Sequence, residues 1–66
     1  MYKVVAFYKH GYNYTEKTFI LSRNAENYFD HIASEIEYEG YPIFMVAMYH
    51  NRKKIKEFRA LRVIYV

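Results

Sequence analysis

The groups in this chain that could act chemically fall into two blocks of opposite sign. Five of the seven acidic residues, Glu26, Asp30, Glu35, Glu37 and Glu39, lie within fourteen positions of one another. Six of the ten basic residues, Arg52, Lys53, Lys54, Lys56, Arg59 and Arg62, crowd a stretch near the C-terminal end, and the formal net charge of +3 hides the separation. The basic block is interleaved with rings: Tyr49, Phe58 and Tyr65. Cations track phosphates and flat rings stack on bases, so this is a composition suited to single-stranded nucleic acid. Tyr and Arg are equally the residues that dominate protein–protein hot spots. Charged faces that merely keep a protein soluble account for the same layout.

Catalytic and metal chemistry find little support. The chain contains no cysteine, which removes disulfides and thiolate metal sites. His10, His31 and His50 are far apart in sequence; only His31 and Glu35, four apart, form a two-ligand start, short of the three or four a metal needs. Ser22 and Ser34 are the only serines, and Ser22 is better used as a helix cap. Gly11 and Gly40 are turn residues and do not form a phosphate loop. Paired carboxylates occur only on an exposed helix face, where nothing raises their pKa. No enzyme activity, cofactor or metal is expected.

The elements that carry these groups follow from periodicity. Tyr2–Lys9 alternates, with Val5 and Phe7 on one side among Lys3 and Lys9, and Val4, Ala6 and Tyr8 on the other. His10-Gly11-Tyr12-Asn13 is a turn, and Tyr14–Leu21 the return strand. Ser22 opens a helix whose Ala25, Tyr28, Phe29, Ile32, Ala33 and Ile36 make one apolar stripe; Gly40 and Pro42 end it. Glu26, Asn27, Asp30, His31, Ser34, Glu35 and Glu37 occupy its opposite face. Ile43–Tyr49 is apolar on both faces, as in a strand covered on both sides. His50–Lys53 is a second turn, and Lys54–Val66 a long last strand with a bulge near Arg59-Ala60 absorbing a slip in its phase. A helical turn over Lys53–Leu61 is the competing reading of that segment.

The order β-β-α-β-β over residues 1–66 implies one α+β domain, a helix packed on a four-stranded, mostly antiparallel sheet. Crossover rules allow the first and last strands to lie side by side in parallel. In element order this resembles the β-grasp layout of small immunoglobulin-binding bacterial domains. The helix stripe is expected to pack on Val5, Phe7, Phe19, Leu21, the third strand and the Val63–Val66 end.

Sixty-six residues bury only about 60% of their unfolded surface. A hydrophobic content of 53%, with nine tyrosines among the aromatics, compensates and leaves a surplus for an interface. The longest apolar run, Ile43–Tyr49, is far short of a membrane span, and Met1-Tyr2-Lys3 leads into a strand and not a leader. A cytoplasmic protein with no membrane partner is expected. Half the chain is Phe, Tyr, Met, Ile, Asn or Lys, residues with AT-rich codons, which points to a phage or other mobile element.

The acidic helix carries like pairs at four-residue spacing, Glu26/Asp30 and Glu35/Glu39, each costing a few tenths of a kcal/mol, so that face calls for a basic neighbour. The reading that follows is a non-enzymatic interaction protein of inhibitor or adaptor type. It docks on another protein through Tyr49, Arg52, Lys54, Lys56, Arg59 and Arg62 on one side and Glu26, Asp30, Glu35 and Tyr38 on the other. Nucleic-acid binding through the basic set alone is the alternative. A structural homo-oligomer, such as a homodimer in which acidic helix meets basic strand, is the third.

Overall fold

The computed structural model describes residues 1–9, 13–36 and 41–60. It forms a single α+β domain with elements β1 (Tyr2–Tyr8), β2 (Tyr14–Phe19), α1 (Ser22–Ile36), β3 (Ile43–His50) and β4 (Lys53–Arg59). The sheet runs β2-β1-β3-β4, and every neighbouring pair is antiparallel.

That order follows from how much apolar surface each strand must hide. Val4, Val5 and Ala6 on β1 are all buried, as are Val46, Ala47 and Met48 on β3. Strands apolar on both faces belong in the middle. The polar Thr15–Thr18 stretch of β2 and the lysine-rich β4 take the edges, where charged side chains also discourage pairing with other chains. The expected parallel pairing of first and last strands is therefore corrected: β1 pairs with β3, and β4 lies beyond it. The chain shares only its element order with the β-grasp layout.

The helix lies on one face of this sheet. Ala25, Phe29, Ile32 and Ile36 reach down to Val4, Ala6, Ile43, Val46 and Met48, with Tyr2, Tyr8, Phe19, Tyr28 and Phe58 around the margin. Each fully buried aliphatic or Phe side chain contributes about 1.5–3 kcal/mol relative to exposure. The face of β1 under the helix is opposite to the one expected: Val5 and Phe7 point away, and Val4 and Ala6 point in. Small residues are what close approach requires, since Ala6 and Ala25 are both almost wholly buried where helix meets sheet. Leu21 is exposed, at 53%. The Val63–Val66 end lies outside the described residues, as do Gly40 and the far end of the expected last strand.

Local geometry departs from expectation at three places. The first helical hydrogen bond runs from Ala25 N–H to the Leu21 carbonyl at 3.2 Å, so Leu21 holds the cap position and Ser22 is the first helical residue. Lys53–Arg59 is a strand throughout, which removes the helical alternative there. Its bulge sits earlier than Arg59-Ala60: Met48 faces Lys56 and Tyr49 faces Lys54, leaving Ile55 as the extra residue. A second irregularity pairs Tyr8 with Ile43 beside Phe7 with Met45, which skips Phe44 and turns Ile43 into the core. Asn51 and Arg52 join β3 to β4 with φ of 51° and 70°, the two positive values of a type I′ hairpin turn.

Candidate functional site

The face of the sheet opposite α1 is the surface on which most of the chemistry gathers. Strand register arranges its side chains in three rows that cross all four strands. The first is Tyr14, Phe7, Met45 and Arg59. The second is Glu16, Val5, Ala47 and Glu57. The third is Thr18, Lys3, Tyr49 and Lys54. Directly opposed residues share a face, and the rows stand about 7 Å apart along the strands.

Each row has its own character. In the first, the Phe7 and Tyr14 rings lie 6.3 Å apart, and Arg59 Nη2 donates to Met45 Sδ at 3.4 Å. In the third, Lys3 Nζ stands 5.9 Å from the Tyr49 ring. The middle row is a floor: Val5 and Ala47 are small and buried, walled by the larger side chains to either side. A shallow open groove of roughly 370 Å³ runs over it, bounded by Lys3, Phe7, Tyr14, Glu16, Tyr49 and Arg52.

The two carboxylates of the middle row are held by cations. Glu16 Oε1 is 3.8 Å from Lys3 Nζ. Glu57 accepts from Lys54 Nζ at 2.6 Å and from Arg59 Nη2 at 2.9 Å. The hydrogen bonds from Lys54 and Arg59 hold the Glu57 carboxyl below the ordinary carboxylate range. Its bond to Lys54 reciprocally raises that ammonium. Four cations, Lys3, Arg52, Lys54 and Arg59, stand against two carboxylates, which leaves the face positive.

No family model, curated protein or solved structure matches this chain.

Tyr49, Arg52, Lys54 and Arg59, singled out from sequence, come together on or beside this open face. Lys56 does not. The extra residue at Ile55 lets Lys54 and Lys56, two apart, point to opposite sides. Lys56 folds around the sheet edge to the helix, 4.4 Å from the Phe29 ring centre and 3.8 Å from Asp30 Oδ1. Lys17 does the same at the other edge, 5.0 Å from the Tyr28 ring and 5.9 Å from that of Phe19. Their stems cover apolar surface while the ammonium groups stay wet.

Glu26 and Asp30 are exposed on α1, on the far side of the molecule from the open face. Glu35 stands near enough to Tyr41 to disfavour its ionisation; burial is the larger cause of the raised Tyr41 pKa, ahead of Glu35, Tyr28 and Tyr8. Tyr38 and Arg62 lie outside the described residues. Among the described residues, no three His, Asp or Glu side chains are placed to hold a metal ion. No helix among them is long and apolar enough to cross a membrane.

Lys3, Phe7 and Tyr14 were missed as site residues. The signal was present: Lys3 and Phe7 share a parity on β1, and a lysine on the same face as an aromatic marks a wet face and not a core.

Proposed function

We propose that this chain is a non-enzymatic interaction protein, of inhibitor or adaptor type, that docks on a macromolecular partner through the open face of its sheet. The observation that carries this reading is the asymmetry of the sheet. One face is covered by α1, while the other presents Phe7, Tyr14, Met45 and Tyr49 among four cations with no element of the described chain over it. A groove this shallow has no enclosed volume for a reacting small molecule, whereas a broad aromatic and cationic surface suits a large, partly anionic partner.

Arg52 supports the same reading. Position 52 has φ 70°, where glycine or asparagine is the low-energy choice, and the structure keeps an arginine at the rim of the groove. An unfavourable backbone state at a surface turn is consistent with a side chain retained for contact.

The charge layout argues against self-assembly through this face. Two copies joined sheet to sheet bring positive surfaces together. Joining the sheet of one copy to the acidic helix of the next is heterologous and has no built-in closure.

Capture from a lysate of the source cells tests the proposal. The chain is expected to retain a specific partner, and Arg52→Glu with Arg59→Glu is expected to release it. Glu26→Gln with Asp30→Asn, on the helix side, is expected to retain it. Equal capture by all three proteins removes the open face from the reading. Digesting the captured material with nuclease or protease reports its class.

A further inference from the structure

We infer that the occupant of the open face is single-stranded nucleic acid. This rests on the docking reading above and adds the partner's chemistry. The rings stand in the outer two rows, Phe7 and Tyr14 in one and Tyr49 in the other, about 13 Å apart along the strands. Between them the floor is Val5 and Ala47, low enough for flat groups to lie across it. Every base has a face that stacks on an aromatic ring, and a short run of nucleotides bridges the two rows.

Cations sit where a backbone would pass: Lys3, Arg52 and Lys54 around Tyr49, and Arg59 at the outer end of the Phe7 row. The carboxylates Glu16 and Glu57 are already engaged by Lys3, Lys54 and Arg59, so an approaching phosphate meets a net positive surface.

Duplex is the poorer fit. A duplex groove is read by an inserted helix or ribbon, and the one helix among the described residues lies on the opposite side with Glu26 and Asp30 exposed on it. The sheet also separates this acidic helix from a strand bound on the open face.

The test is fluorescence anisotropy with a labelled random-sequence single strand of about twelve nucleotides, alongside its duplex, at two salt concentrations. The single strand is expected to bind more tightly than the duplex and to weaken with salt. Arg52→Ser and Arg59→Ser are each expected to lower the slope of log affinity against log salt by about 0.7. Tyr14→Ala and Tyr49→Ala are each expected to weaken binding roughly 10-fold, while Glu26→Gln leaves it unchanged. Tyr14 is 57% exposed, so its variant reads stacking even where Tyr49→Ala fails to fold. No binding at low salt, preference for duplex, or indifference to Tyr14→Ala overturns the inference. Should the lysate experiment retain a protease-sensitive, nuclease-resistant partner while the oligonucleotide does not bind, docking stands and this inference falls. Should neither show binding, both fall.

Discussion

At residue 52 a side chain and a backbone conformation are in conflict. An L-residue other than Asn, Asp or Gly at positive φ costs about 1 kcal/mol, and the second position of a type I′ turn favours glycine. Arg52→Gly is expected to stabilise the fold by up to about 1 kcal/mol, seen as a higher urea midpoint, and to weaken partner binding. Loss of stability on that substitution would show that Arg52 makes a contact worth more than its strain. Glu57 gives a second residue-scale prediction. Its carboxyl is held below the ordinary range by Lys54 and Arg59, so folding favours its charged form. That contribution is present above the carboxylate pKa of the unfolded chain and disappears as pH falls through the lower folded value. Glu57→Gln is therefore expected to lower the melting temperature near neutral pH, and the two proteins are expected to converge below about pH 4. Equal melting at every pH would mean that solvent screens the pair completely.

β4 shows how one extra residue sorts an element. Ile55, 48% exposed, stands between Lys54 on the open face and Lys56 beside α1. Without it the ladder from His50/Lys53 through Met48/Lys56 becomes regular and every side chain keeps its face. Deleting Ile55 is thus expected to preserve the fold, with stability changed by about 1 kcal/mol or less. Deleting Ile55 and Lys56 together places Glu57 opposite Met48 and moves Phe58 from the helix side to the open face, which is expected to unfold the domain. Circular dichroism melts of the two deletions distinguish these outcomes; equal damage by both would refute the bulge. For α1, Phe29 is nearly buried beneath Lys56 and against the core. Phe29→Ala is expected to cost about 3–5 kcal/mol. A domain of this size has a total stability of only roughly 5 kcal/mol. The variant is therefore left with roughly 0–2 kcal/mol and is expected to melt far below the parent, and an unchanged melting temperature would place the core elsewhere.

Across the whole molecule, the cations divide into two groups with different employment. Lys17 and Lys56, at opposite edges, curl toward the helix and cover its aromatic side chains. Lys3, Arg52, Lys54 and Arg59 remain with the open face. One ion pair, Lys56 with Asp30, joins the acidic and basic blocks among the described residues; Glu57 takes Lys54 and Arg59 within β4 itself. The segregation of charge seen along the chain therefore survives folding only in part: the open face stays positive, while Arg23, Lys17 and Lys56 offset the carboxylates of α1. Because the open faces repel one another, light scattering is expected to give the mass of a single chain at all concentrations. A mass that doubles with concentration would indicate that apolar contact over Phe7, Tyr14 and Tyr49 outweighs that repulsion.

The element order, the helix stripe and the doubly apolar third strand were legible in the sequence, because side-chain periodicity is a local property of each segment. Ala25, Phe29, Ile32 and Ile36 are three or four apart whatever they pack against. Which side of β1 meets the helix was marked only weakly, by Lys3 sharing the side of Val5 and Phe7. Val4 and Ala6 compete with Val5 and Phe7 as apolar alternates, and the choice is made by the small size that a close helix demands. Nor could the run of lysines in β4 be assigned to faces, since a single bulge at Ile55 reverses the parity of everything before it. The open face is for that reason a product of tertiary structure. Its rows draw on four strands, and residues such as Tyr14, Phe7, Met45 and Arg59, spread over most of the chain, become neighbours only when strand register has been set by burial on the other side.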